Sequence, residues 1–269
     1  MAPSWYDPDH LPKFAHPPVI ETAMGLEFAP LAGLGFINLT RLQAEWSDRY
    51  PNVIEMAGMP PSSIDLAPQQ LTFVPGLPTA RIWAEGLSDG LLVQTQNDRL
   101  ILNWRKAFSE VPYPGYSALR PKYEFLLHEF AAFVAANSLG EIVPGTAEYT
   151  YVNNVSLAPG EGFEDVLSVF SRPDRALPGT PATTRFQFIR TVDQSEDPSG
   201  DPFSAQIFVV GEPQSVDGQD VLTMNVTARV LFSTGGDPMA ALDAAHALSS
   251  HTFANITAEA KHAEWELLR

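Results

Sequence analysis

Within the segment DVLTMNVTARVLF, residues 220–232, apolar and polar residues alternate strictly from Leu222 to Val230. Leu222, Met224, Val226, Ala228, Val230 and Phe232 fall on one side of an extended chain, and Thr223, Asn225, Thr227 and Arg229 on the other. Successive strand side chains point to opposite faces, so this run predicts a strand with one dry and one polar face. Such strands belong to antiparallel sheets covered on one side; strands of a parallel sheet, buried on both faces, read as continuous apolar runs.

Other segments fit the same sheet. PVIETAMGLEFA (18–29) sets Ile20, Thr22, Met24 and Leu26 against Glu21, Ala23 and Gly25. LLVQTQ and RLILNWRK flank Asn97-Asp98, a pair suited to the positive φ angles of a tight hairpin turn. ARIWAEGL (80–87), EYTYVNNVSL (148–157), TRFQFIRTV (184–192) and SAQIFVVGE (204–212) bring the expected strands to about eight, the last two joined by QSEDPSGDP.

Helical spacing appears in four places. Leu39, Leu42 and Trp46 recur before Pro51 ends their pattern. Leu119, Tyr123, Leu126, Phe130 and Phe133 form a long stripe with a C-cap expected over Asn137–Gly140. GFEDVLSVFS (162–171) suits a short helix. Asp237 as N-cap and Pro238 at the first position open a second long helix carrying Leu242, Ala245, Ser249, Phe253 and Ile256, after which Thr257 is expected to cap a last turn ending at Trp265.

The pattern gives an α+β class: a mainly antiparallel, curved sheet covered by two long helices. Residues 1–18, with prolines at 3, 8, 12, 17 and 18, read as an extended N-terminal arm, and 19–269 as a single domain. Two β-rich halves, 19–140 and 147–269, follow a similar order, and the long helices share an echo in Leu127-His128-Glu129-Phe130 and Ser250-His251-Thr252-Phe253. An internal pseudo-repeat is one reading of this order and coincidence the other. The six prolines of 51–78 mark a long connection expected to lie against the body.

Charge and composition narrow the function. Sixteen Lys and Arg against 32 Asp and Glu give a formal charge of −16, which repels a phosphate backbone and favours basic partners; no nucleic acid is expected. The absence of cysteine removes disulfides, thiolate metal sites and Cys nucleophiles. MAPSWYDPDHLPKF lacks the features of a secretory signal, and no apolar run approaches a membrane span, so a soluble cytoplasmic chain is expected. There is no phosphate-binding loop, nucleophile elbow or H-E-x-x-H motif, and Gly33-Leu34-Gly35 fails as a dinucleotide fingerprint at its third glycine. His246 and His251 are too far apart around a helix to chelate one ion, although Asp243 and His246 could pair. No cofactor and no metal site is expected.

The candidate site rests on polar and aromatic strand residues. Glu21 sits in an otherwise apolar strand, where a salt bridge to Arg105 or Arg229 is the first reading and a general base the second. Alternation puts Asn103 and Arg105 opposite Trp104 unless a bulge intervenes, and places Tyr149, Tyr151 and Asn153 together. Were those two strands paired, a Tyr, Asn and Arg patch would form; otherwise the aromatics fill the core edge.

Pro17-Pro18-Val19-Ile20-Glu21, Asn103-Trp104-Arg105, Tyr151-Val152-Asn153 and Leu242-Asp243-Ala244-Ala245-His246, followed by Phe253, Thr257 and Trp265, run co-linearly along nearly the whole chain. In these motifs the sequence resembles a sporadically distributed, functionally uncharacterised bacterial family of similar length. The resemblance implies a single bacterial cytoplasmic domain without an assigned reaction. It raises Glu21, Asn103, Trp104, Arg105, Tyr151, Asn153, Asp243 and His246 as family-pattern positions, serving either function or fold, and these are the candidate ligand- or partner-binding residues.

The expectation is a non-enzymatic binding protein that recognises a protein partner or small ligand through its sheet or an interhelical cleft, as an accessory or inhibitory subunit. An enzyme with a dispersed acid–base site using Glu21, Asp243 or His246 is the alternative, and a structural subunit of a homo-oligomer the third.

Overall fold

The computed structural model describes residues 10–60, 81–109, 112–170, 185–194, 203–216, 218–231 and 236–268. The QSEDPSGDP turn, Phe232, Gly235 and most of the proline-rich connection lie outside the described residues. In chain order the elements are β1 (Val19–Phe28), α1 (Phe36–Glu45), β2 (Asn52–Met56), β3 (Arg81–Glu85), β4 (Asp89–Gln96), β5 (Arg99–Ser109), α2 (Tyr116–Ala136), β6 (Pro144–Ser156), α3 (Phe163–Val166), β7 (Phe186–Gln194), β8 (Phe203–Val216), β9 (Gln219–Leu231), α4 (Pro238–Ile256) and α5 (Glu259–Glu264).

The class is α+β, with an antiparallel sheet in the order β2-β3-β4-β5-β1-β6-β9-β8-β7. Among the described residues it has nine strands, against the expected eight or so. The addition is β2, between Pro51 and Pro60, whose residues 52–55 are all exposed. An edge strand wet on both sides shows no alternation, and prolines are tolerated beside it. No described helix is long and apolar enough to cross a membrane.

The chain divides into two compact units, one of Thr22–Glu148 and Val230–Leu242, the other of Met1–Glu21, Tyr149–Arg229 and Asp243–Arg269. In the first, Leu91, Val93, Leu100, Leu102 and Trp104 line one buried face. The 21-residue α2 lies on that face: Tyr123 donates its hydroxyl to the Leu100 carbonyl at 3.0 Å, and Phe130 meets Phe28 at 5.5 Å between ring centres. From α1, Gln43 donates to the Thr95 hydroxyl at 3.0 Å. Each large apolar side chain buried here contributes on the order of 2 kcal/mol.

The C-terminus of α2 closes as expected around Asn137, with a serine in the left-handed position. Ser138 has φ 53°, its N–H reaches the Ala135 carbonyl, and the Leu139 N–H reaches Val134. Leu139 and Val134 are both buried, which supplies the apolar contact of a Schellman motif.

The β4–β5 hairpin has its expected two-residue loop, Gln96 pairing with Arg99. Neither Asn97 nor Asp98 takes a positive φ. Their carbonyls accept from the N–H groups of Leu31 and Phe28, and these tertiary bonds set the turn in place of its own preference.

On β9, Leu222, Met224, Val226, Ala228 and Val230 are all buried, as alternation requires. The stripe of α4 is buried too, and Asp237 caps that helix by accepting from the Met239 N–H at 2.8 Å. Ser249 donates to the Tyr149 carbonyl on β6 at 2.9 Å.

The N-terminal arm is not a free extension between residues 13 and 16. Ala15 and His16 donate to Glu266 and Trp265, Leu268 donates to Lys13, and the Phe14 ring stands edge-on to Phe253 and Trp265. Thr257 does not cap α5: its hydroxyl turns back to the Phe253 carbonyl at 2.7 Å, and Ala258 is the N-cap.

Candidate functional site

In the first unit, the strand register puts Arg81 and Trp83 of β3, Gln94 and Gln96 of β4, and Arg99 and Asn103 of β5 on the face opposite α1 and α2. These positions are polar and most are buried: Gln94 is 6% exposed, Gln96 0%, Arg99 4% and Asn103 3%. Polar groups survive burial when hydrogen-bonded, and a relay provides this. Arg81 Nη1 donates to Gln94 Oε1 at 2.8 Å, and Gln94 Nε2 donates to Asn103 Oδ1 at 2.6 Å.

A second group fastens the chain segment that crosses this face. Gln96 donates to the Met59 carbonyl and accepts from its N–H, at 2.9 and 2.8 Å. Arg99 binds Asp98 through Nε and Nη2, donates to the Pro60 carbonyl, and has Glu27 at 3.7 Å. Beside Arg99 lies a cavity of about 20 Å³, room for a single water, bordered by Glu27, Met59, Ile101 and Glu148.

A wide bulge interrupts β5. Leu91 pairs with Trp104 and Asp89 with Ser109, so Gly90 alone opposes residues 105–108. The excess of three residues is odd, and it turns the strand over. Arg105 and Phe108, which a regular strand would put on opposite faces, thereby meet, with the guanidinium carbon 4.6 Å from the ring centre. The same Arg105 lies 5.7 Å from the Trp83 ring centre, and Arg81 lies 5.2 Å from it. Trp83 therefore has two guanidinium groups within cation–π range. Gly90 permits the bulge: its φ is +74°, and a Cβ there would come within 2.6 Å of Ser109 and 3.0 Å of Trp104 Nε1.

The anticipated residues divide between the units. Asn103 and Arg105 join the polar face just described, while Trp104 is buried on the helix-covered side and meets Tyr113 at 5.2 Å. Of the two readings of these strands, the one that pairs β5 with β6 does not hold, because β1 lies between them in the sheet.

The second unit brings Tyr151 and His246 together. Tyr151 Oη and His246 Nε2 are 3.0 Å apart, and Ser250 Oγ lies 3.3 Å from the same nitrogen and 3.5 Å from Tyr151 Oη. Tyr149 meets the imidazole edge-on at 5.0 Å. Burial pushes the imidazole down to about 3; Asp243 works against the shift and His251 adds to it. At neutral pH the ring is uncharged and can exchange hydrogen bonds with two hydroxyls. Asn153 is buried and donates to the Met224 carbonyl at 3.3 Å, which ties it to the sheet. Glu21 is half-buried on β1. Among the described residues no group of three His, Asp or Glu side chains is arranged to hold a metal ion.

Sequence reasoning passed over Arg81, Trp83, Gln94 and Ser250. The signal for the first three was present: ARIWA and LLVQTQ place polar or amphipathic residues at i, i+2 on one face of adjoining strands. Ser250 follows His246 by one helical turn, so Asp243, His246 and Ser250 share a helix face at i, i+3, i+7. No family model, curated protein or solved structure matches this chain.

Proposed function

We propose that this is a non-enzymatic binding protein that recognises a small ligand or a protein partner through the polar face of its sheet. The observation that carries this reading is the indole of Trp83 with Arg81 and Arg105 both beside it, above the Arg81–Gln94–Asn103 relay. A fixed relay holds the guanidinium of Arg81 in place before any ligand arrives, which lowers the ordering cost of binding. Arg81, Arg99 and Arg105 bring three guanidinium groups to this face, although the whole chain is strongly negative. Binding here therefore favours an acidic group, where net charge alone suggested a basic partner. An accessory or inhibitory role fits the same surface.

The closeness of Tyr151, His246 and Ser250 supports an enzyme as the second reading. Supporting an internal repeat, the strand runs β1-β5-β4-β3 and β6-β9-β8-β7 follow one order within their halves.

Native mass spectrometry of the protein purified from its own host, compared with Trp83→Ala, tests the leading reading. A retained mass that disappears in the variant is expected. A retained mass lost in Tyr151→Phe and kept in Trp83→Ala would transfer the function to the His246 cluster.

A further inference from the structure

We infer that Arg81 and Trp83 form a carboxylate-binding subsite on the polar sheet face of the first unit, an inference that rests on the binding function proposed above. The two residues stand two apart on one strand and share a face, with the Arg81 guanidinium carbon 5.2 Å from the indole centre.

Both carry a donor that lacks an acceptor. Arg81 Nε and Trp83 Nε1 are each buried without a hydrogen-bond partner among the described residues. Burying an N–H group without a partner costs free energy, so two such donors on neighbouring side chains call for an acceptor.

The charge balance points the same way. Arg99, on the same face, is matched by Asp98 and Glu27, whereas Arg81 has no carboxylate within ion-pair distance among the described residues. Burial lowers the pKa of Arg81, and the nearby charge of Arg99 lowers it further. An anion beside the guanidinium would favour its charged form against both effects.

Geometry selects a carboxylate. Gln94 engages Arg81 through Nη1 and so fixes the guanidinium plane, while Nε has no partner among the described residues. Along the Nε edge, that nitrogen and Nη2 present parallel N–H bonds that match the two oxygens of a carboxylate. The indole N–H supplies a further donor for one of them. The carboxylate can belong to a small organic acid or to an acidic side chain of a protein.

The test uses the ¹⁵N-labelled full chain, with its indole N–H resonances followed during titration at constant ionic strength. The probes are sodium benzoate, a glutamate decapeptide and inorganic phosphate, and Trp83→Phe assigns the Trp83 signal. A saturable shift of that signal is expected with a carboxylate probe. Arg81→Gln should abolish it, and Arg81→Lys, which keeps the charge but loses the Nε edge, should weaken binding at least tenfold. Tighter binding of the decapeptide than of benzoate assigns the ligand to a protein, and the reverse assigns it to a small acid.

Absence of saturation with either carboxylate, an unchanged affinity in Arg81→Lys, or tighter binding of phosphate than of both carboxylates would overturn the inference. If Arg81→Gln does not fold, Arg81→Lys decides the matter. A host ligand without an acid group, retained equally by Arg81→Lys, would refute the subsite and leave the broader binding function standing. Loss of both the host ligand and the Trp83 response would refute the two together.

Discussion

Arg99 grips Asp98, its neighbour in sequence, through two guanidinium nitrogens, Nε to Oδ1 and Nη2 to Oδ2, each at 3.0 Å. Both side chains are about 95% buried, so the pair is isolated from solvent screening. Removing one partner leaves the other charged in a poor medium. Arg99→Gln is expected to destabilise the fold by roughly 3–5 kcal/mol, read from urea unfolding. It should also speed hydrogen exchange at the Met59 N–H, since Arg99 holds the adjoining Pro60 carbonyl. Unchanged stability would mean that the ion pair offsets only its own desolvation.

His246 makes stability depend on pH. Folding lowers its pKa from 6.5 to about 3, mainly through burial. The contribution is complete above pH 6.5 and is lost as pH falls from there towards 3, because the unfolded chain takes up the proton first. The loss should approach about 1.4 kcal/mol for each pH unit. In His246→Gln the unfolding free energy should fall less steeply between pH 6.5 and 4. An identical slope would place the acid sensitivity in other groups.

Two positive-φ positions predict opposite outcomes. Ser138→Gly relieves a left-handed residue at a helix end and should stabilise the protein by up to about 1 kcal/mol. Gly90→Ala combines an unfavourable φ with a Cβ 2.8 Å from the Arg105 carbonyl, and should cost roughly 2 kcal/mol or more. Thermal midpoints of the two variants would separate them. A Gly90→Ala protein of normal stability would show that the bulge can shift.

Phe14→Ala should release the N-terminal arm. The ring is half-buried against Phe253, His262 and Trp265, and its removal should cost roughly 1–3 kcal/mol. Limited proteolysis near Lys13 is expected to accelerate at least several-fold. Equal cleavage rates in variant and parent would mean that the backbone bonds alone retain the arm.

Legibility in the sequence followed the range of the forces involved. The dry face of β9 is readable because one sheet surface is buried along its whole length, and alternation reports that directly. The start of α4 is readable because Asp237 and Pro238 act within a single turn. The turn at Asn97-Asp98 was misleading, since bonds from Leu31 and Phe28 outweigh its local preference. For the site, alternation separated Asn103 from Trp104 correctly, but it could not show that both faces are covered. Gly90 carried no visible sign that four residues would loop opposite it. The meeting of Tyr151 and His246 joins positions 95 apart, which only packing determines.

The seam between residues 13–16 and 265–268 also has a mechanical meaning. Lys13 lies opposite Leu268 and His16 opposite Trp265, so tension applied at the two chain ends meets the ladder at one end. The rungs are then loaded one after another and open like a zipper, whereas a shear geometry would load them all at once. This seam would yield first under stretching, at low force, and would absorb strain before the β6–β9 core felt any of it.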